Sequence, residues 1–367
     1  MANDDSWKEK YQLERGVFEA FTSKAKGLLR DIIDDAGIDV VQIEARTKEV
    51  DSFAEKLTRK EGRYSNPLVD MTDLAALRVI TYYQEDVERV CALIEREFDI
   101  DLENSGDKFE LLDPDRFGYM SVHYVASISR KRATLLEWKN FKSIRFEVQV
   151  RTALQHAWAA VNHKLEYKSA SEAPEELRRR LYRLSALFEL ADEQFSQIRD
   201  ASNAIERRYT NEVREGKFDI PLNILSLAAY MEHHPYAKEL RQVARVEELS
   251  VREPGADDYD GDTANALRPK VLALLEHCNV TTLSELDGVL REKIPSVFRR
   301  APSAINPEAA HYLEAVIALC LSIAYGLERD VFNNFFPASN WDTYQQWREL
   351  YLENEDVDNL PMKRGAS

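Results

Sequence analysis

Apolar residues recur at helical spacing along the first thirty-odd positions. Tyr11, Phe18, Phe21, Ala25 and Leu28 share one side of a long helix predicted over 6–36. The β-branched run Val40 to Ile43 predicts a short strand, and the pattern returns to helix over 48–61. ALRVITYY at 76–83 predicts another strand, followed by an amphipathic helix over 85–98 with Val87, Val90, Leu93 and Ile94 on one side. A short strand near 99–102 precedes two more, over 119–128 and 143–151, and then helices over 152–168 and 174–210. Strand signals stop there. The stretch PGADDYDGDT, Pro254 to Thr263, reads as a turn-rich acidic loop or linker. Residues 265–354 read as all helix, and Thr282 with Glu285 three residues on fits a capping box.

This order predicts an α+β domain over 1–210, with a mixed sheet of about five strands flanked by helices. A connecting segment over 211–264 and an all-helical domain over 265–367 follow. Leu272, Leu275, Leu283, Leu286 and Leu290 supply apolar positions for the last domain. Its aromatics Phe332, Phe335, Phe336, Trp341, Tyr344 and Trp347 fit either its own core or an exposed docking face, so the domain is expected to regulate or oligomerise the first.

Composition narrows the class. The 367 residues are 44% hydrophobic and 31% charged, enough for a sizeable core, and 12 Gly with 12 Pro leave few tight turns. A net charge of −16 argues against non-specific coating of duplex nucleic acid, which is driven by cations. Cys91, Cys278 and Cys320 form no C-x-x-C pair, which excludes a zinc ribbon and makes a disulfide framework unexpected. The polar start MANDDSWKEK has no apolar core, and no stretch is apolar enough to span a membrane, so a cytoplasmic protein is expected.

Four clusters carry candidate chemistry. Lys48, Ser52 and Lys56 are spaced four apart, which predicts one helical face, with Arg46 just upstream; such a strip suits phosphates or is simply a solvated helix face. Asp70 and Asp73 precede the strand carrying Arg78, and carboxylates at a strand lip serve as Mg²⁺ ligands or as caps. Alternation puts Tyr119, Ser121 and His123 on one sheet face, behind Gly118. In the last strand Ile144, Phe146, Val148 and Val150 share one face, while Arg145, Glu147, Gln149 and Arg151 share the other. His156 and His163 lie two turns apart beyond it and fit surface or structural positions better than a metal pair. No G-x-x-x-x-G-K-S/T or G-x-G-x-x-G loop exists, so side chains must bind any phosphates.

Read together, R-x-K-x-x-x-S-x-x-x-K, D-L-x-x-x-R-V-I, G-Y-x-S-x-H, E-V-Q-V-R-T and W-A-x-x-x-H-x-L-x-Y-K resemble, over about 10–200, the alarmone synthetase domain of the RelA/SpoT family. The layout is closest to the small, synthetase-only members. The resemblance implies a nucleotidyltransferase-like synthetase fold and a Mg²⁺-dependent pyrophosphokinase. That enzyme moves the β,γ-diphosphate of ATP to the 3′-hydroxyl of GDP or GTP, making (p)ppGpp. It implies that Arg46 stacks on adenine and that Lys48, Ser52 and Lys56 grip the ATP phosphates, with Arg78 also on the ATP side. Asp73 and Glu147 would hold Mg²⁺, with Glu147 activating the acceptor hydroxyl. Tyr119 would stack on guanine, with Ser121, His123, Gln149 and Arg151 on the acceptor side. Met120, the segment Asp113 to Phe117, and Asn162 depart from the family pattern, all toward the acceptor. They leave open a toxic relative that modifies the tRNA 3′ end or an adenosine nucleotide, with Arg130, Lys131, Arg132, Lys139 and Lys142 as a tRNA-facing patch. No His is followed by Asp, so the family's hydrolase activity is not expected.

Overall fold

The computed structural model describes residues 2–107, 121–164, 174–237, 261–301 and 312–354. The chain forms two compact units, Met1–Arg199 and Asp200–Ser367.

The first unit opens with α1 (Ala2–Asp35), whose apolar stripe of Tyr11, Phe18, Phe21, Ala25, Leu29 and Ile33 is buried. It is followed by β1 (Val40–Thr47), α2 (Val50–Arg59), the single turn α3 (Pro67–Asp70), β2 (Ala75–Thr81) and α4 (Gln84–Glu97). Then come β3 (Phe98–Ile100), β4 (Gly106–Asp107), β5 (Val122–Ile128), β6 (Arg145–Thr152), α5 (Ala153–Lys164) and the long α6 (Glu175–Arg214). The boundary between the units falls inside α6.

The strands form one mixed sheet in the order β1-β2-β6-β5-β3, with β4 pairing to β5 beyond β3. Only β2 and β6 pair in parallel. Alternation divides the sheet cleanly. Ile43, Leu77, Val79, Phe146, Val148 and Val150 enter one buried cluster with the stripes of α1 and α4. Phe21 of α1 meets Phe146 edge-on at 5.0 Å, and Tyr11 stacks on Phe53 of α2 at 4.4 Å. The opposite face carries the polar residues of the same strands.

β1 is longer than the Val40–Ile43 run predicts. Pairing with β2 from Thr81 to Ala75 carries it through Thr47, so the backbone ladder rather than side-chain burial extends the strand.

The second unit contains α7 (Ile224–His233), α8 (Gly261–His277), α9 (Leu283–Arg300), α10 (Leu313–Tyr325), α11 (Arg329–Phe335) and α12 (Trp341–Glu353). Asn223 caps α7, and Thr282 caps α9 with Glu285 closing the expected capping box. Leu275, Leu283, Leu286 and Leu290 are fully buried, with Leu272 packed beside them. The aromatics near the end also belong to this core. Phe332 and Tyr344 are buried and stack at 4.4 Å, while Phe335, Phe336, Trp341 and Trp347 pack against them. These rings pack into the unit's own core, the first of the two readings that their spacing allows.

The linker expected at Pro254–Thr263 lies outside the described residues except for its last three positions, which open α8. Among the described residues no helix is long and apolar enough to cross a membrane.

Candidate active site

Strand register builds a polar row. β1 sets Glu44 opposite Arg78 of β2, the parallel pair sets Arg78 beside Gln149 of β6, and β5 sets His123 beside Gln149. One step along, Arg46 faces Ala76, which neighbours Glu147. The small side chain of Ala76 leaves room above the sheet. Here a cleft of about 590 Å³ opens, lined by Arg46, Lys48, Asp73, Arg78, Glu147 and Gln149 among others.

Lys48 is not on the helical face that its spacing predicts. β1 persists through Thr47 and α2 begins only at Val50, so Lys48 sits in the connection. Three contacts fix it there. Its backbone N–H donates to Leu74 O at 2.9 Å. The Tyr11 hydroxyl and Arg15 Nε, both from α1, donate to its carbonyl at 2.7 and 3.3 Å. Burial, outweighing the nearby Arg15, pushes the Tyr11 phenol up to about 12, so it remains a donor.

Lys48 nevertheless meets its expected companion. Lys48 Nζ and Lys56 Nζ both reach Asp73 Oδ2, at 2.8 and 2.7 Å. Ser52 lies one turn before Lys56 on α2, half-buried. Asp73 Oδ1 is buried with no hydrogen-bond partner among the described residues. Burial alone would raise the Asp73 carboxyl, but the two ammoniums more than offset it and hold it below its ordinary range. Asp70 instead accepts from the Asn66 backbone N–H at 2.8 Å, which makes it a turn cap.

Glu147 Oε1 lies 2.7 Å from His123 Nδ1 and 3.2 Å from Gln149 Nε2. Burial raises this carboxyl too, and again the hydrogen bonds win, led by His123. His123 Nε2 is 2.5 Å from Ser121 Oγ. Gln149 Oε1 accepts from Arg78 Nε and Arg151 Nη2, each at 3.3 Å, and Arg78 Nη1 reaches Glu44 Oε2 at 2.6 Å. Arg151 is buried rather than open to the cleft, and burial with the neighbouring Arg78 pulls it down to about 10.

Burial, then the charge of Arg151, lowers the pKa of His156. Tyr119, Gly118, Met120 and Asp113 to Phe117 lie outside the described residues, as do the side chains of Asn162 and His163. No group of three His, Cys, Asp or Glu side chains suited to a metal occurs among the described residues. A two-carboxylate site remains: Asp73 and Glu147 line one cleft, and the free Asp73 Oδ1 is a hard oxygen donor of the kind Mg²⁺ shares with phosphates.

Sequence reasoning missed Lys26, Gln42 and Glu44, which also line the cleft, and the anchors Tyr11 and Arg15. The period-two pattern Gln42, Glu44, Arg46 holds the signal for two of them once β1 is extended. Lys26 lies on α1, far away in sequence, and nothing local marks it.

Residues 45–172 match the region found in RelA / SpoT proteins. GTP pyrophosphokinase YjbM of Bacillus subtilis (strain 168) is 28% identical over 202 residues, which cover 54% of this chain and 90% of YjbM. GTP pyrophosphokinase YwaC of the same organism is 21% identical over 198 residues, covering 53% and 91%. The crystal structure of small alarmone synthetase 1 from Bacillus subtilis bound to its product pppGpp aligns at 25% identity over 54% of this chain and 98% of that one, with a TM-score of 0.41.

Proposed function

With residues 45–172 a RelA/SpoT region inside a small-alarmone-synthetase-type domain, we propose that the first unit is a pyrophosphokinase that transfers the β,γ-diphosphate of ATP to the 3′-hydroxyl of GDP or GTP. The observation that carries this reading is the convergence of Lys48 and Lys56 on Asp73 in the cleft that also holds Glu147.

The acceptor's 3′-oxygen forms a bond to the β-phosphorus of ATP while the bond from that phosphorus to the α,β-bridging oxygen breaks, releasing AMP. Such a transfer is governed by positioning and charge neutralisation more than by covalent chemistry. Lys48 and Lys56 exchange Asp73 for the incoming phosphates, and Ser52 adds a hydroxyl on the same side. The planar guanidiniums of Arg46 and Arg78 present faces on which an adenine can stack. Glu147, kept ionised, accepts the proton of the 3′-hydroxyl, with His123 and Gln149 holding its other contacts. Tyr119 is proposed as the stacking partner of the acceptor base. Asp73 and Glu147 would hold Mg²⁺, which supplies charge neutralisation on the transferred phosphates.

Exposed Arg130, Lys131, Lys139 and Lys142 on the β5–β6 connection keep the tRNA 3′ end as an alternative acceptor, whereas Arg132 is engaged with Glu97 at 3.0 Å. Purified protein with Mg²⁺ and ATP, offered GDP, GTP or tRNA in separate reactions, should release AMP with a guanosine nucleotide and place label on its 3′ position. Label on tRNA alone would transfer the reading to the alternative, and no AMP with any acceptor would end both. Glu147→Gln should abolish turnover.

The helical unit is proposed to regulate or oligomerise the synthetase in the cytoplasm. Molar mass and specific activity of the full chain, against a chain ending after Arg214, test this. Identical values for a folded truncation would remove it.

A further inference from the structure

The polar row is a connected set of hydrogen bonds linking Ser121, just before β5, through His123, Glu147, Gln149 and Arg78 to Glu44 on β1; His123 and Gln149 both point at Glu147, while Arg78 donates both to Gln149 and to Glu44. Glu147 fixes the proton on His123. An ionised carboxylate only accepts, so the His123 Nδ1 that faces Glu147 Oε1 at 2.7 Å carries a proton. In a neutral imidazole the other nitrogen is then an acceptor. The Ser121 hydroxyl, 2.5 Å from Nε2, is placed to donate to it.

We propose that Ser121 is a positioning residue. Its hydroxyl selects the tautomer and ring orientation of His123, and the ring then pins one oxygen of Glu147 and leaves the other for the ligands of the cleft.

Two further observations support this over a role as an acceptor ligand. The Ser121 Oγ is already committed to His123. A 180° turn of the ring would put a carbon where Nδ1 stands and break the 2.7 Å contact, and the Ser121 bond opposes that turn. Ser121 immediately precedes β5, two residues before His123, and extended backbone two residues apart shares a face, so Ser121 reaches the far nitrogen of the ring that reaches across to β6.

The kinetic part of this inference rests on the pyrophosphokinase reading, but the structural part does not. The full chain, with ¹⁵N-labelled histidine, is compared as wild type, Ser121→Ala and Ser121→Thr at neutral pH. Wild type should show His123 as the Nδ1–H tautomer, Ser121→Ala a mixture of tautomers, and Ser121→Thr, which keeps a hydroxyl, the wild-type signature. In turnover assays Ser121→Ala should lower kcat by roughly 10–100-fold, as loss of an outer hydrogen-bond partner does. Its KM for ATP and for acceptor should stay near wild type, and Ser121→Thr should recover most of the rate. An unchanged ring signature in Ser121→Ala overturns the proposal, as does a raised acceptor KM at constant kcat. If the wild type releases no AMP with any acceptor, the function proposed above fails, and the ring signatures alone decide the assignment of Ser121.

Discussion

Replacing Asp73 with Asn keeps the shape of the side chain and removes its charge. In the free protein that charge holds both Lys48 and Lys56, and all three side chains are at least three-quarters buried. If those ammoniums receive the phosphates of ATP, Asp73 competes with the nucleotide whenever no metal is present. A carboxylate about 5 Å from a phosphate charge costs about 0.8 kcal/mol under full water screening and about 3 kcal/mol at an effective dielectric of about 20. The partial burial of Asp73 places the cost between those two limits. Asp73→Asn should therefore bind metal-free ATP roughly 10–100-fold more tightly than wild type, an inverse effect for a residue placed in the catalytic set. Titration calorimetry with a non-transferable ATP analogue in EDTA measures it. Adding Mg²⁺ should tighten binding to wild type far more than to the variant, whose turnover should be lost. The fold should weaken by less than the roughly 3–5 kcal/mol of a fully buried broken pair. Equal or weaker metal-free binding by a folded variant would refute the idea that these lysines receive the phosphates.

Two other outcomes follow from contacts described above. Tyr11→Phe removes the 2.7 Å bond to the Lys48 carbonyl while Arg15 still reaches it at 3.3 Å, so stability should fall by about 1 kcal/mol and KM for ATP should rise, as denaturant unfolding and initial rates will show. In the second unit His234 is buried, stacks on Tyr230 at 4.3 Å and accepts the Tyr236 backbone N–H at Nδ1; burial lowers its pKa, Asp287 opposes this and Arg291 adds to it. Its stabilising contribution is full above the ordinary value of 6.5 and is lost as pH falls below it, so unfolding midpoints should drop on acidification from there, with a shallower slope in His234→Gln.

Much of the fold was legible because the sheet is two-faced. The apolar side of β6, from Phe146 to Val150, and the stripe of α1 announce themselves by period, and the capping box at Thr282 by composition. β1 was underestimated because its second half is polar on the cleft side, and a polar strand face looks like a strand end. The site was legible in its residue types rather than in its geometry. Lys48 reaches Asp73 from a connection instead of a helix, since tertiary contacts with Tyr11 and Leu74, distant in sequence, decide where the strand ends and the turn goes. Arg151 reads like its strand neighbours Glu147 and Gln149, yet it is buried, and alternation alone does not reveal where a polar strand face is buried.

The clamp that α1 places on Lys48 bears on what can be moved from one protein to another. The segment that matches the RelA/SpoT region starts at Ala45, so Tyr11, Arg15 and the whole apolar stripe of α1 lie upstream of it. A gene fragment cut at that limit would encode the cleft's cations and carboxylates without the helix that aims Lys48, and it would bare Phe53 and Phe146 where Tyr11 and Phe21 now cover them. The smallest transferable cassette for this chemistry therefore begins at or before Tyr11. Chimaeras joined later should come out of the cell as aggregates rather than as weak enzymes.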